Sequence, residues 1–367
     1  MPQSFEKSSA STTSGRARGS RAGLLEPIRT GDVYLQTVVL MSTCVTIQVV
    51  GHGTDPHEAL DRRARVDRAF EWFRQVEACC TRFDTHSELM QLTGQIGVPV
   101  PVSALLYEAV QFAVAVAEET EGAFDPTIGH SMETRGFNRE YRTGQHVQTD
   151  LAPEAGRALL HPDVGRALLH PDGGRALLQP DVGRTLSGPP DPISYRDVRL
   201  DPGQKTITLV RPLILDLGAV AKGLAIDMAA RELSALDNFA IDAGGDLYVA
   251  GCNPDRAPWS IGIRHPRLLD QLSASLRLSN LAVCTSGDYE RRSPHILDPR
   301  TGASADAVAS VTVVAPTAMA ADALATAAFV LGPAAGIRLL ERQGVNGLII
   351  SPTLERHSTR DMWRCGG

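Results

Sequence analysis

Two polar side chains in an otherwise apolar segment could hold a divalent cation. Residues 317–328 (TAMAADALATAA) are typical of a helix, and Asp322 and Thr326 lie four residues apart in it, on one face. Carboxylate and hydroxyl oxygens are ligands that Mg²⁺ prefers, and a carboxylate in apolar surroundings needs a partner. The pattern leaves a second interpretation open, in which Thr326 bonds to its own helix and Asp322 caps another segment.

Lys222 is a candidate for binding an anion. It lies in residues 216–223 (DLGAVAKG), where Asp216 ends an apolar strand and a helix is predicted to begin. Small residues let a ligand approach the backbone, and the first turn of a helix offers N–H groups and positive potential to a phosphate. The segment is not a Walker A loop, and a solvated helix lysine explains Lys222 equally well.

The remaining candidates lie in turns. His295 is the best placed of the ten histidines for acid–base chemistry, because it opens the polar segment HILDPRTG (295–302) shortly after TSGDYE (285–290). A single histidine is nevertheless more often structural. The segments AIDAGGDLY (240–248) and GAFDPTIG (122–129) are explained at least as well by ordinary turns as by ligand-binding loops.

The elements that must position these residues arrive mostly in hairpin order. Strands followed directly by strands, with helices between the groups, favour an α+β fold with mainly antiparallel sheets flanked by helices. Helices are predicted at 55–82, after Ser87, after Ser103, and at 219–236, 319–331 and 334–343. Strands are predicted in two runs at 33–43 and 44–51, around the Pro202-Gly203 turn, and at 239–243, 246–250, 259–264, 274–278, 282–285, 310–315 and 347–351.

The chain divides into one domain with three less regular parts. Residues 1–25 are rich in Ser, Thr, Gly and Arg and predict a disordered tail, and residues 353–367 are assigned to a C-terminal tail. A domain over 26–352 is interrupted at 156–186 by nine-residue repeats (GRALLHPDV and close copies). Each repeat carries Gly and Pro-Asp, which end helices, so the repeats predict a surface loop without a part in the chemistry.

Composition excludes several classes of protein. Of the 367 residues 43% are hydrophobic and 21% charged, which argues against global disorder, and the net charge of −6 argues against a nucleic-acid partner. The six cysteines show no C-x-x-C pair, so a disulfide framework or zinc site is not expected. No apolar run reaches the ~20 residues of a membrane span, and no signal peptide or lipobox is recognised. These features favour a cytoplasmic protein.

Seven segments, taken in their order along the chain, resemble the ApbE family of FAD:protein FMN transferases. They are FDTHSEL (83–89), GAFDPTIG (122–129), DLGAVAKGLAID (216–227), GGD (244–246), TSGDYE (285–290), HILDPRTG (295–302) and ADALATA (321–327). The resemblance implies an enzyme of α+β fold that uses Mg²⁺ and takes FAD as substrate. It would attach FMN to a threonine of an acceptor flavoprotein carrying a threonine-containing motif, releasing AMP.

The resemblance also assigns roles to single residues. It implies that Asp322, Thr326 and the main-chain carbonyl of Ala219 bind the metal and that His295 is the catalytic residue. The residues that it places against the flavin nucleotide are Met41, Phe83, Ala123, Phe124, Asp125, Asp216, Lys222 and Ile296.

The chain departs from the family pattern at a few positions. Ser42 stands where the family usually has glycine, Phe83 where some members have tyrosine, and the segment between Tyr289 and His295 is short. These departures bear on how the flavin is held more than on the metal site. The same residues allow two alternative functions. One is an Mg²⁺-dependent FAD pyrophosphatase that yields FMN and AMP, and the other is a non-catalytic FAD-binding protein.

Overall fold

The computed structural model describes residues 28–30, 33–51, 55–138, 149, 192–268, 270–289 and 296–363. The predicted N-terminal tail, the repeat loop at 156–186 and His295 lie outside the described residues. The predictions for them are neither confirmed nor contradicted.

The described residues form fourteen strands, most of them joined as hairpins. In chain order these are β1 (Ile28–Thr30), β2 (Val33–Leu40), β3 (Thr43–Val50), β4 (Val100–Pro101), β5 (Val198–Asp201), β6 (Thr206–Leu209), β7 (Phe239–Ala243), β8 (Asp246–Ala250), β9 (Trp259–Arg264), β10 (Leu272–Leu278), β11 (Leu281–Gly287), β12 (Ser310–Ala315), β13 (Asn346–Ile350) and β14 (Arg356–Ser358).

Nine of these strands make one antiparallel sheet in the order β1-β2-β3-β7-β8-β11-β12-β13-β14. Strands β9 and β10 form a separate hairpin, and β4, β6 and β5 form a small three-stranded sheet. Every strand pair in the three sheets is antiparallel. The predicted α+β fold with mainly antiparallel sheets is therefore confirmed.

Six α-helices accompany the sheets, and three of the four longer ones begin at a polar cap residue. They are α1 (Pro56–Cys80), α2 (Glu88–Thr93), α3 (Ala104–Glu119), α4 (Gly129–Thr134), α5 (Gly218–Leu233) and α6 (Ala318–Arg342). The Asp55 side chain accepts from the His57 N–H at 2.7 Å to start α1, and the Ser103 hydroxyl accepts from the Leu106 N–H at 3.2 Å to start α3. These side chains satisfy N–H groups that the helices leave unpaired.

The large sheet is covered on both faces, as the alternation along its strands shows. In β12, Val313 and Ala315 join the main core with the helices, while Val314 packs in a second core with Trp259 of the β9–β10 hairpin. Successive side chains of a strand point to opposite faces. The central strands are thus buried on both sides, which explains the uninterrupted burial of β12.

Helix α6 combines two helical segments across a break. Gly332 has φ 78° and ψ 175°, and Pro333 follows it, so the chain leaves helical geometry between the two helices predicted there. In the described part of the chain α6 is the one helix long and apolar enough to cross a membrane. Its apolar window is 56% buried within the protein, and core helices of this kind pass the same test of length and composition.

The C-terminal boundary predicted at residue 352 leaves out part of the sheet. Strand β14, within the segment assigned to a tail, pairs with β13, and Met362 is fully buried in the second core. The domain therefore extends beyond residue 352. The segment has only three strand residues, too few for a period-2 pattern to mark it as a strand.

Candidate functional site

A cleft of about 370 Å³ brings together residues that are far apart in the sequence. This volume lies in the range of ~300–1,000 Å³ that is common for small-molecule sites. Every described residue to which the resemblance gave a binding role lines it, namely Met41, Phe83, Ala123, Phe124, Asp125, Asp216, Ala219, Lys222, Ile296, Asp322 and Thr326. The structure places these residues at one site, and their individual roles stay predictions.

Met41 reaches the cleft from a turn with unusual backbone geometry. Met41 and Ser42 connect β2 to β3 with φ values of 49° and 62°, a conformation with both central residues at positive φ. Such a conformation costs a non-glycine residue roughly 1–2 kcal/mol. The glycine that the resemblance leads us to expect at position 42 would adopt this turn without that cost, whereas Ser42 does not.

One wall of the cleft is organised by Arg82, a residue that sequence reasoning did not select. Its guanidinium is 4% exposed, donates from Nε to Asp216 Oδ2 at 2.7 Å and lies 4.3 Å from the centre of the Phe83 ring. It also donates to the main-chain carbonyl of Phe137. Asp216 in turn accepts from the Gly218 N–H at 2.8 Å, at the start of α5. Arg82 therefore links the end of α1, the segment after α4 and the start of α5.

The Asp125 carboxylate fixes the neighbouring loop. Its Oδ1 accepts from the N–H and the hydroxyl of Thr127 at 2.9 and 2.8 Å, and its Oδ2 accepts from the Tyr195 N–H at 3.0 Å. Burial raises the pKa of Asp125 above its usual value, although these hydrogen bonds oppose the shift. Its oxygens thus hold the loop that carries Ala123 and Phe124 into the cleft.

The floor of the cleft is polar and charged. The Lys222 ammonium donates to Asp246 Oδ2 and lies 3.9 Å from Asp322 Oδ2. Burial disfavours the charged form of Lys222, but attraction by Asp322 and Asp246 outweighs burial and holds its pKa well above the ordinary value. The Thr326 and Ser286 hydroxyls lie 3.2 Å apart beside them.

Helices α5 and α6 approach closely at the metal-site candidates. A Cβ at Gly223 would lie 2.5 Å from Met319 Cα and 2.6 Å from the Ala318 carbonyl oxygen, so only glycine permits this contact. Ala219 is one helical turn before Gly223, and Asp322 is one turn after Ala318. The glycine therefore lets the two helices present Ala219, Asp322 and Thr326 to the same cleft.

The start of α6 is held by a carboxylate from α5. Asp227 accepts from the N–H groups of Ala318 and Met319 at 2.7 and 2.9 Å. Burial raises the pKa of Asp227 to about 6, and the two backbone hydrogen bonds act in the opposite direction. Asp227 thus fixes the turn that precedes Asp322.

The donor set on the floor fits a hard divalent cation. Asp322 and Thr326 line the cleft and offer it a carboxylate and a hydroxyl oxygen. Asp246 is not a lining residue, and it adds a second buried negative charge through its contact with Lys222. No three His, Cys, Asp or Glu side chains converge as a metal site within the described ranges. The described residues therefore do not surround a metal ion with protein ligands alone. Mg²⁺ commonly takes one or two carboxylates and completes its shell with water and substrate phosphates.

Three residues at the site were not predicted from the sequence. Two of them lie inside predicted motifs, and the third does not. Asp246 and Ser286 fall inside the segments GGD and TSGDYE, which were selected as motifs without roles for these positions. Arg82 directly precedes the selected segment FDTHSEL, and nothing in its spacing marks it. Its three partners come from positions 83, 137 and 216, and only the fold brings these together.

The chain is similar to known proteins of one family. The model of the ApbE family matches residues 41–349. The chain is 27% identical over 297 residues to the FAD:protein FMN transferase of Haemophilus influenzae, covering 76% of each chain. It is 31% identical over 323 residues to that of Treponema pallidum, covering 80% of this chain and 79% of the relative. The crystal structure of the ApbE protein from Thermotoga maritima is similar, with a TM-score of 0.68, 28% identity and coverage of 89% of this chain and 97% of that one.

Proposed function

Because the chain belongs to the ApbE family, we propose that it is an FAD:protein FMN transferase that works in this cleft. One observation carries the proposal: a wall with an aromatic ring and a floor with hard oxygen ligands belong to the same cleft. FAD has both parts that such a cleft requires, planar rings and a diphosphate. The curated relatives in Haemophilus influenzae and Treponema pallidum bear the name of this activity.

We further propose that Mg²⁺ is held by Asp322, Thr326 and the main-chain carbonyl of Ala219. Bound there, the ion would neutralise charge on the phosphate oxygens of FAD. Lys222, whose carboxylate neighbours keep it protonated, adds positive charge on the same floor. Charge grows on the phosphoryl oxygens and on the departing phosphate during transfer, so fixed positive groups there lower the barrier.

The acceptor in this proposal is a threonine of a target flavoprotein. Its hydroxyl oxygen forms a bond to the FMN phosphorus of FAD, and the bond from that phosphorus to the bridging oxygen breaks. AMP leaves with the bridging oxygen, and the hydroxyl proton passes to a base. We propose His295 as that base, because the resemblance assigns it and imidazole titrates near neutral pH.

Mass spectrometry of an acceptor tests the function directly. The purified protein is incubated with FAD, Mg²⁺ and a threonine-containing acceptor flavoprotein, and the acceptor is expected to gain the mass of one FMN as AMP appears. The same reaction without acceptor distinguishes the pyrophosphatase alternative, for which AMP would form at the same rate. FAD that stays intact under both conditions would refute both activities.

The Asp322→Ala variant tests the metal assignment. Loss of the carboxylate is expected to abolish Mg²⁺-dependent transfer, while the circular dichroism spectrum stays that of the wild type. Asp61→Ala is a matched control, because it removes an exposed carboxylate whose partner is Arg65 on the surface of α1. Transfer that persists in Asp322→Ala with unchanged Mg²⁺ dependence would exclude Asp322 as a ligand.

A further inference from the structure

Asp246 and Asp322 compete for the same ammonium group on the floor of the cleft. Asp246 is 2% exposed and Asp322 is 6% exposed, so both carboxylates need compensation for burial. The Lys222 ammonium donates a hydrogen bond to Asp246 Oδ2. It stays 3.9 Å from Asp322 Oδ2, beyond hydrogen-bond distance. The lysine therefore forms its hydrogen bond with Asp246 and only a longer ion pair with Asp322.

The Asp246 carboxylate is held in place by the large sheet. Asp246 is the first residue of β8, and its Oδ1 accepts from the main-chain N–H of Thr285 in β11 at 3.0 Å. The two strands pair from Leu247 opposite Val283 onward, so this side-chain bond continues the ladder by one step. One carboxylate oxygen is thus fixed by the sheet and the other is directed at Lys222.

We infer that Asp246 is a positioning residue that keeps the Lys222 ammonium away from Asp322, so that Asp322 can bind a divalent cation. The inference rests on the proposed function, since it deepens the account of the metal site. It assigns Asp246 no contact with the cation. Its effect on metal binding passes through Lys222.

The physical reason is a competition between two positive groups for one carboxylate. An ammonium 3.9 Å from Asp322 Oδ2 needs only a small movement to turn this ion pair into a direct hydrogen bond. Opposite charges at such distances attract strongly where the surroundings are partly shielded from water. Without Asp246 the lysine is expected to turn to Asp322 and to oppose the entry of a cation there.

A simpler explanation is that Asp246 only adds negative potential to the site. Both explanations predict weaker metal binding when the charge of Asp246 is removed. They differ in whether that loss depends on Lys222. A pair of residues that act through each other shows coupling in a double-mutant cycle, and independent charges add.

The experiment measures Mn²⁺ binding by electron paramagnetic resonance. Mn²⁺ shares the preference of Mg²⁺ for carboxylate and carbonyl oxygens, and the titrations are made without nucleotide and with saturating ADP. The proteins are the full-length wild type, Asp246→Asn, Lys222→Met and the double variant. Asparagine can still accept from the Thr285 N–H through its oxygen but offers Lys222 only an amide group. Asp61→Asn controls for the loss of one exposed charge.

We expect Asp246→Asn to weaken Mn²⁺ binding about tenfold or more with Lys222 present, and by no more than about threefold in the Lys222→Met background. Lys222→Met alone is expected to raise Mn²⁺ affinity, because it removes a positive charge 3.9 Å from Asp322 Oδ2. An equal loss from Asp246→Asn in both backgrounds, or a loss of affinity in Lys222→Met alone, would overturn the inference. So would a wild type that binds no Mn²⁺ under either condition.

Further measurements distinguish a failure of this inference from misfolding of a variant and from a failure of the proposed function. Thermal unfolding identifies a variant that does not fold. If Asp246→Asn fails to fold, Lys222→Met still decides, because Mn²⁺ affinity that does not rise in that variant would refute the competition. A wild type that transfers FMN but shows no coupling between the two positions leaves the proposed function intact and refutes only the positioning role. A wild type that binds Mn²⁺ with the expected coupling but neither transfers FMN nor releases AMP refutes the proposed function alone.

Discussion

Arg82 shows how a single side chain can hold several others in place. Its planar guanidinium forms an ion pair with Asp216, donates to the carbonyl of Phe137 and stacks on Phe83. Lysine has one compact ammonium group. It cannot donate to two acceptors in fixed directions and at the same time stack a planar group on an aromatic ring. The aromatic wall of the cleft therefore depends on the arginine fork as well as on its charge.

The Arg82→Lys variant is expected to weaken FAD binding about tenfold or more, because the half-buried Asp216 carboxylate loses part of its hydrogen bonding and the Phe83 ring loses its support. Isothermal titration calorimetry with FAD measures the change. Arg65→Lys is the matched control, since Arg65 pairs with Asp61 at 2.7 Å on an exposed helix face and its replacement should leave affinity unchanged. FAD affinity that is equal in the two variants would remove Arg82 from the site.

Single residues also mark where sequence reasoning reaches its limit. Asp322 and Thr326 were found because helical spacing places them on one face, and the structure brings both to the cleft. Asp246 was not given a role, because its importance comes from a lysine in α5 and a backbone group in β11, on other elements. Long-range pairings of this kind leave no periodic signal in the sequence.

At the scale of elements, most helices and strands could be predicted, and the reasons are local. Strand β7 and the start of α3 follow from alternation and from the Ser103 cap, both visible within a few residues. The order of strands in the large sheet could not be predicted in the same way. Strand β3 pairs with β7 across nearly two hundred intervening residues, and such a pairing depends on burial of both faces of the sheet.

The junction of α5 and α6 links stability to pH through Asp227. The pKa of this carboxyl is raised to about 6 from an ordinary value of 3.8, so the folded protein holds the proton more tightly than the unfolded chain does. The contribution of Asp227 to the free energy of unfolding is therefore greatest below pH 3.8. It falls as the pH rises to about 6 and stays low above that value.

The Asp227→Asn variant lacks this titration. The difference in free energy of unfolding between wild type and variant is expected to shift against the wild type as the pH rises from about 4 to about 7. Urea unfolding at a series of pH values, followed by circular dichroism, measures this difference. A constant offset caused by altered hydrogen bonds to α6 does not change with pH. A difference that is the same at all pH values would show that Asp227 has an ordinary pKa.

At the scale of the whole molecule, the cleft is built from both ends of the domain. The turn between β2 and β3 supplies Met41, and α6, close to the other end, supplies Asp322 and Thr326. Between them the large sheet is buried on both faces, by helices on one side and by the β9–β10 hairpin on the other. A ligand that contacts all of these parts stabilises the fold as a whole, because the unfolded chain has no such site.

This linkage predicts that FAD and Mg²⁺ together raise the midpoint of thermal unfolding. A ligand at 100 times its dissociation constant adds about 2.7 kcal/mol to the free energy of unfolding. For a domain of this size that corresponds to a rise of roughly 4 °C. Differential scanning calorimetry measures it with FAD and Mg²⁺, with FAD and a chelator, and with Mg²⁺ alone.

If Asp322 is a metal ligand, stabilisation by FAD should depend on Mg²⁺ and on this residue. FAD is expected to stabilise the wild type more with Mg²⁺ than with the chelator, because a cation held by the Asp322 carboxylate would neutralise charge on the diphosphate. In Asp322→Ala this dependence on Mg²⁺ should disappear, and stabilisation by FAD should stay at the value measured with the chelator. An Asp322→Ala protein that still gains stability from Mg²⁺ in the presence of FAD would place the cation elsewhere. The floor formed by α5 and α6 would then no longer explain how the diphosphate is held.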